Sequence, residues 1–104
     1  MKLITKTLLK QLPPLYSQEN EADPIVIVKY FNPVGNGNWF GIEYDPSERI
    51  FFGYVSLFGD YNDELGYFSL DELESIKGWG GLGIERDLHF KPTRLSEIKK
   101  QYTL

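Results

Sequence analysis

Residues 25–57 read IVIVKYFNPVGNGNWFGIEYDPSERIFFGYVSL, and this stretch decides the fold. It contains three runs rich in β-branched and aromatic residues, at residues 25–31, 39–44 and 50–57. Such runs are typical of β-strands. Glycines and asparagines separate the first two runs, and an Asp-Pro turn separates the second from the third. Because connections this short join neighbouring strands, the stretch predicts an antiparallel meander.

Helical patterns flank this meander. Residues 5–12 place apolar side chains four positions apart, with Thr5 as a suitable N-cap and two prolines after the last position. Ser69 and Glu72 have the spacing of a capping box, which predicts a second short helix that ends at Gly78.

Two further strands and a last helix complete the pattern. We predict strands at residues 64–68 and 84–90 and a helix after Pro92. The whole chain, residues 1–104, is therefore expected to form a single α+β domain. Its core would be an antiparallel sheet of four or five strands, with two or three short helices mainly on one face.

Composition excludes several kinds of site. The 104 residues include no Cys and one His. The lack of Cys excludes disulfides, Cys-ligated zinc, iron–sulfur clusters and a thiol nucleophile, and one His excludes a multi-histidine metal centre within the chain. We expect no cofactor and no metal. Lysines interrupt the apolar residues near the N-terminus, and no long apolar stretch follows, so we expect a cytoplasmic protein without a membrane span.

Acidic residues concentrate in one segment. The net charge is −4, but residues 60–74 alone carry −6, which leaves +2 on the rest of the chain. An acidic segment suits a basic partner, whereas the alternative is a helix N-terminus with a polar loop, since two or three of the six carboxylates are explained by helix capping. The glycine-rich sequence GWGGLG nearby presents a Trp, a frequent anchor at interfaces. We therefore predict a protein-binding surface that includes Asp60, Tyr61, Asp63, Glu64 and Trp79.

Adjacent aromatic residues recur within the strands, for example at Tyr67–Phe68. Neighbours in a strand point to opposite faces, so one ring of each pair should lie in the core. The other ring lies under a helix or on a binding surface. Stacking of nucleic-acid bases on such rings would also need basic residues, which are sparse in these strands, so we do not expect direct nucleic-acid binding.

An alternative site lies in the strand predicted at residues 84–90. Glu85, Asp87 and His89 alternate there, so they would share one face. A carboxylate beside an imidazole suits a general base, and the three together suit a ligand or metal pocket. The simpler interpretation is a solvent-exposed strand face. Arg86 would lie on the opposite face, either in an ion pair with Glu43 or Glu64 or as an anion-binding residue.

Five segments together resemble one protein family: LPPLYSQE, EYDPSE, FFGYV, ELGYFSLDEL and IERDLHFKP. They resemble the landmarks of a small bacterial family, a domain of unknown function that is common in plasmids, phages and integrative elements. The resemblance extends from Leu3 to Ile98, with a different loop at residues 58–63. It implies a role in the maintenance or counter-defence of a mobile element, by association only.

The sequence thus favours a small interaction protein over an enzyme. We expect it to bind another protein through the acidic and aromatic surface, as an accessory or anti-restriction-like factor of a mobile element. A small enzyme or ligand-binding pocket on the Glu85, Asp87 and His89 face is the alternative. The sequence does not indicate an oligomeric state.

Overall fold

The three apolar runs form the centre of a five-stranded antiparallel sheet. The computed structural model describes residues 1–57, 63–77 and 79–102, with the backbone alone described at Trp79. Its elements, in chain order, are α1 (Lys6–Gln11), β1 (Ile25–Val26), β2 (Val28–Phe31), β3 (Asn38–Asp45), β4 (Ile50–Ser56), β5 (Glu64–Ser69), α2 (Leu70–Ser75), a 3₁₀ turn (Trp79–Gly81), β6 (Glu85–Arg86), β7 (Thr93–Arg94) and α3 (Leu95–Tyr102).

The sheet has the strand order β5-β4-β3-β2-β6, and β1 and β7 form a separate two-stranded ladder. Each of these pairings is antiparallel. The α+β class and the antiparallel sheet predicted from the sequence are therefore confirmed.

Helix starts follow the sequence signals closely. The Thr5 hydroxyl accepts a hydrogen bond from the Leu8 amide at 3.1 Å and caps α1. The Ser69 hydroxyl does the same for the Glu72 amide at 3.2 Å and caps α2. Helix α2 ends at Ser75, earlier than predicted, and Gly78 lies outside the described residues.

Two helices cover one face of the sheet, here called the front face. Tyr30, Phe51 and Phe68 form its centre, where the Phe51 ring stacks on Phe68 with centroids 4.9 Å apart. Helix α1 contributes Leu8 to this core, and α2 contributes Leu70 and Leu73. Burial raises the pKa of the Tyr30 phenol, whose hydroxyl donates a hydrogen bond to the Leu3 carbonyl at 2.6 Å.

Helix α3 covers the opposite face, here called the back face. Phe40, Ile42 and Tyr54 from the sheet pack there against Leu95 and Ile98 of the helix. Both faces of the sheet are therefore covered. This explains why the central strands carry aromatic residues on both sides instead of alternating apolar with polar residues.

The connection to α3 is held by the segment before β1. The Asp23 carboxylate accepts hydrogen bonds from the Ser96 amide at 2.9 Å and from the Ser96 hydroxyl at 2.8 Å. The Pro24 carbonyl accepts a bond from the Leu95 amide at 2.9 Å. Helix α3 is therefore capped by residues that lie far away in the sequence.

A β-bulge in β3 sets the register of the sheet. Gly41 faces Gly53 of β4, whereas Glu43 faces Phe52, so Ile42 is an extra residue in β3. Because of this extra residue, Glu43 lies on the back face and Tyr44 on the front face.

Gly53 is required at the bulge because the Phe40 carbonyl approaches it closely. A Cβ built on Gly53 would lie 1.8 Å from the Phe40 oxygen. No real contact is that short, so any side chain at this position forces the two strands apart.

The strand predicted at residues 84–90 is shorter than expected. Strand β6 ends at Arg86, and Leu88 and His89 form a turn. The Asp87 side chain stabilises this turn, since its Oδ1 accepts a bond from the His89 amide at 2.9 Å. A side chain that bonds the backbone two residues ahead competes with strand pairing.

In the part of the chain that the structure describes, no helix has the length and apolar character that crossing a membrane requires.

We expect Gly53→Ala to lower the free energy of unfolding by about 1–3 kcal/mol or more, since its Cβ would overlap the Phe40 carbonyl. Urea unfolding measures the change. Gly66→Ala is the matched control, because Gly66 of β5 pairs with Gly53 of β4 and a Cβ on Gly66 meets nothing within 4 Å. Equal stability of the two variants would contradict the close approach at Gly53.

The cap on α3 predicts a pH dependence. Bonds from the Ser96 amide and then the Ser96 hydroxyl lower the pKa of Asp23 below its ordinary 3.8. The ionised Asp23 carboxylate therefore contributes its full stabilisation at pH values above 3.8, the ordinary pKa. The contribution is lost as the pH falls through the lowered pKa of the folded protein. We expect a carboxyl ¹³C titration to place the Asp23 midpoint below 3.8, and Asp23→Asn to flatten the acid side of the stability profile. A midpoint at or above 3.8 would show that the cap is not formed in solution.

Candidate functional site

The bulge places the Glu43 carboxylate within hydrogen-bond distance of two backbone amides. Glu43 is 3% exposed. Its Oε1 accepts a hydrogen bond from the Tyr16 amide at 2.9 Å, and its Oε2 accepts one from the Gln18 amide at 2.5 Å. Tyr16 has a φ of 72°, and this left-handed conformation is characteristic of turns in which successive amides bind one anion. Glu43 therefore fixes the N-terminal connection against the back face of the sheet.

The predicted ion pair between Arg86 and Glu43 is wrong. Arg86 faces Tyr30 across β2 and β6, and Tyr30 belongs to the front core. Glu43 lies on the back face because of the bulge. The two side chains are therefore on opposite sides of the sheet, and the Glu43 carboxylate is already bound by two amides.

The predicted pairing of Arg86 with Glu64 also fails, for a different reason. One row of facing residues crosses all five strands on the front face: Glu64, Val55, Trp39, Tyr30 and Arg86. Glu64 and Arg86 stand at the two ends of this row, four strand spacings of ~4.8 Å apart, or roughly 19 Å. They share a face but cannot form an ion pair.

An aromatic groove lies beside Glu43, between the N-terminal connection and β5. Phe52 of β4 meets Tyr67 of β5 edge to face, with ring centroids 5.3 Å apart. Tyr16 and Leu65 line the same cavity of about 420 Å³ as these two rings. Tyr16, Leu65 and Tyr67 are 63%, 43% and 56% exposed, so the rings and the leucine present a continuous apolar surface to solvent. We call these four residues the aromatic groove.

Acidic side chains surround the aromatic groove. Glu19, Glu21 and Glu43 line the same cavity, with Lys99 as the one cation among its lining residues. The pKa of the Tyr67 phenol is raised, first by its interaction with the Tyr16 hydroxyl and then by burial. The charges of Tyr16, Glu43 and Glu19 raise it further. The groove thus combines exposed rings with an excess of negative charge.

The predicted binding residues are only partly brought together. Asp60 and Tyr61 lie outside the described residues, as does the Trp79 side chain. Asp63 is half-buried, and its Oδ2 accepts a bond from the buried Ser56 hydroxyl at 2.7 Å. Glu64 is exposed at the start of β5, one position before the aromatic groove begins at Leu65.

Part of the acidic segment is neutralised within the fold. The Arg49 guanidinium lies 3.1 Å from Asp71 Oδ1 and 2.5 Å from Glu74 Oε1. These two carboxylates of α2 therefore hold the turn between β3 and β4 against the helix. Among the predicted acidic residues with a described side chain, Glu64 is the one best placed to meet a partner.

Glu85, Asp87 and His89 do not line a common cavity. Glu85 lines a cavity with the N-terminal Met1, whereas Asp87 lines cavities on other sides of β6. Asp87 Oδ2 lies 3.6 Å from Lys29 Nζ, which itself donates a hydrogen bond to the Tyr102 hydroxyl. His89 is exposed in the turn. The Asp87 amide still donates a hydrogen bond to the Lys29 carbonyl, but Leu88 and His89 form a turn, so the predicted alternation stops before His89.

We also searched the described side chains for a metal-binding cluster. Within residues 1–57, 63–77 and 79–102, no cluster of three or more His, Asp or Glu side chains could hold a metal ion.

Sequence reasoning missed Tyr16, Phe52 and Leu65 as site residues. A signal for the bulge was present, because an isolated Gly within a strand pattern indicates a bulge or a close backbone approach. Gly41 and Gly53 both interrupt such runs. The pairing rule for adjacent aromatics also holds at Tyr67 and Phe68, since Phe68 is in the core and Tyr67 is exposed.

We expect Glu43→Gln to lower the free energy of unfolding by ~1–3 kcal/mol, because a side-chain amide offers one acceptor oxygen to the Tyr16 and Gln18 amides. Hydrogen exchange at these two amides should accelerate. The control is Glu48→Gln in the exposed turn after β3. Unchanged exchange at both amides would refute the role of the carboxylate.

Comparison with known proteins adds one result. No curated protein and no solved structure matches this chain. A family model described as "Protein of unknown function (DUF2958)" matches residues 3–101. Since this match covers nearly the whole of the chain, including the bulge and the aromatic groove, the chain belongs to the DUF2958 family.

Proposed function

We propose that this protein is a non-enzymatic interaction factor that binds an extended, basic segment of another protein along β5. The observation that carries the proposal is the exposed aromatic groove beside an edge strand. Within the described residues, β4 is the single strand partner of β5. The other side of β5 therefore presents unpaired backbone groups, which are the template for adding a strand from a partner.

The sequence of β5 supports this use of its edge. Proteins commonly protect edge strands with lysine, proline or inward-pointing charges. Strand β5 reads ELGYFS and contains neither lysine nor proline. It exposes two apolar residues, Leu65 and Tyr67, and tyrosine is among the residue types that contribute most to protein interfaces.

Charge around the aromatic groove selects the chemistry of the partner. Glu19 lines the aromatic groove, whereas Glu64 begins β5 on the front face of the sheet. Lysine or arginine side chains of a partner would meet these carboxylates, while its apolar residues would cover Tyr16 and Tyr67. Such complementarity favours the encounter and fixes the register more than it adds affinity.

The wider role that we propose is that of an accessory factor of a mobile genetic element, with an anti-restriction-like action in the cytoplasm. This part rests on the family resemblance in the sequence and on the acidic surface, since enzymes that act on nucleic acids have basic grooves. The predicted residues Asp60, Tyr61 and Trp79 remain part of the proposed surface.

The proposal predicts that Tyr67→Ser combined with Glu64→Lys weakens partner binding about tenfold or more, because truncation of an interface aromatic typically costs over ~1 kcal/mol. Partners are captured from the native host with the wild-type protein, and the dissociation constant of each purified partner is then measured. Both substitutions are at exposed positions, so circular dichroism should show an intact fold.

Glu48→Lys is the matched control, since it makes the same charge reversal at an exposed turn away from the aromatic groove. It should bind as the wild type does. Equal affinity of the β5 variant and the wild type would exclude this surface. Equal losses in the β5 variant and in the control would indicate a general charge effect and would also count against it.

A further inference from the structure

One of the three arginines has no acidic partner in the described part of the chain. The chain has three arginines. Arg49 pairs with Asp71 and Glu74, and Arg94 lies near Glu21 and donates a hydrogen bond to the Asp23 carbonyl. Arg86 forms no ion pair with any described carboxylate.

The Arg86 side chain is also partly withdrawn from water. Its Nε atom is buried and has no hydrogen-bond partner in the described part of the chain. Arg49 Nε is likewise buried, but the Asp71 carboxylate lies 3.1 Å from it. A buried donor that stays unsatisfied destabilises the fold, and more so when it is charged. A ligand that accepts a hydrogen bond from Arg86 Nε would remove this destabilisation.

A cavity of about 400 Å³ lies beside Arg86, between α1 and the segment that follows β6. Polar side chains line it together with Arg86: Thr5, Thr7, Gln11, Asp87 and Lys91. This volume falls within the ~300–1,000 Å³ of small-molecule sites. The two cations outnumber the single carboxylate, and both Asp87 oxygens already face other groups, the His89 amide and Lys29.

We propose that Arg86 and this cavity form a binding site for a small oxyanion, a phosphate or carboxylate group carried by a ligand of low molecular weight. The planar guanidinium offers two parallel N–H groups, which match the oxygens of a phosphate or carboxylate. Binding would satisfy the Nε donor, and Lys91 would add a second positive charge at the rim. The site is on the front face and is independent of the aromatic groove.

The test follows the side-chain Nε–Hε signals of the three arginines in ¹⁵N-labelled protein by NMR. Inorganic phosphate and succinate are titrated separately at constant ionic strength, with sodium chloride as the reference. We expect a saturable shift of the Arg86 signal, with Arg94 as the internal control. Saturation with phosphate alone would identify the group as a phosphate, and saturation with succinate alone as a carboxylate.

Variants separate this site from the rest of the surface. Lys91→Gln should weaken binding several-fold, and Arg86→Lys about tenfold, because lysine keeps the charge but loses the paired N–H groups. Arg94→Gln and the β5 variant, Tyr67→Ser with Glu64→Lys, should leave binding unchanged. A shift of Arg86 that does not saturate, or one that Arg94 shares equally, would overturn the proposal. The wild-type titration decides this even if an Arg86 variant fails to fold.

Discussion

The structure depends on the buried Glu43 carboxylate and on the bulge that places it. Without the extra residue at Ile42, Glu43 would point to the front face, into the core around Phe51 and away from the two amides that bind its carboxylate. With the bulge, its two oxygens bind the Tyr16 and Gln18 amides. A carboxylate removed from water is stable only when such donors replace its hydration. The N-terminal connection is therefore held to the sheet by polar bonds at this point and not by packing alone.

The bulge and the Glu43 carboxylate have one consequence for the proposed surface and one for the front core. First, the connection brings Tyr16 next to Tyr67, so residues far apart in sequence share one groove. Second, the same bulge sends Tyr44 to the front core, where its ring lies 4.5 Å from Phe51. One local irregularity thus fills the front core and shapes the back-face groove. Gly53 permits it, because the Phe40 carbonyl occupies the space that a side chain would need.

The candidate site was predictable in part. The acidity of residues 60–74 and the exposure of one ring at Tyr67–Phe68 follow from the chain alone, since composition and period-two alternation are local properties. The proposed acid–base face at Glu85, Asp87 and His89 failed because the Asp87 side chain bonds the His89 amide and ends the strand. That competition between a side chain and the sheet ladder is not visible in an alternating pattern.

The sequence by itself determined the α+β class, the antiparallel meander and the starts of α1 and α2. Turn residues, strand propensity and caps act over a few positions, so their signals are readable without the fold. Only the tertiary structure decided which face Glu43 occupies, which residues surround Tyr67, and that Arg86 and Glu64 stand on the two outermost strands of the sheet. A one-residue change of register reverses the face of every later side chain in a strand. Long-range pairing therefore settles what the local pattern leaves open.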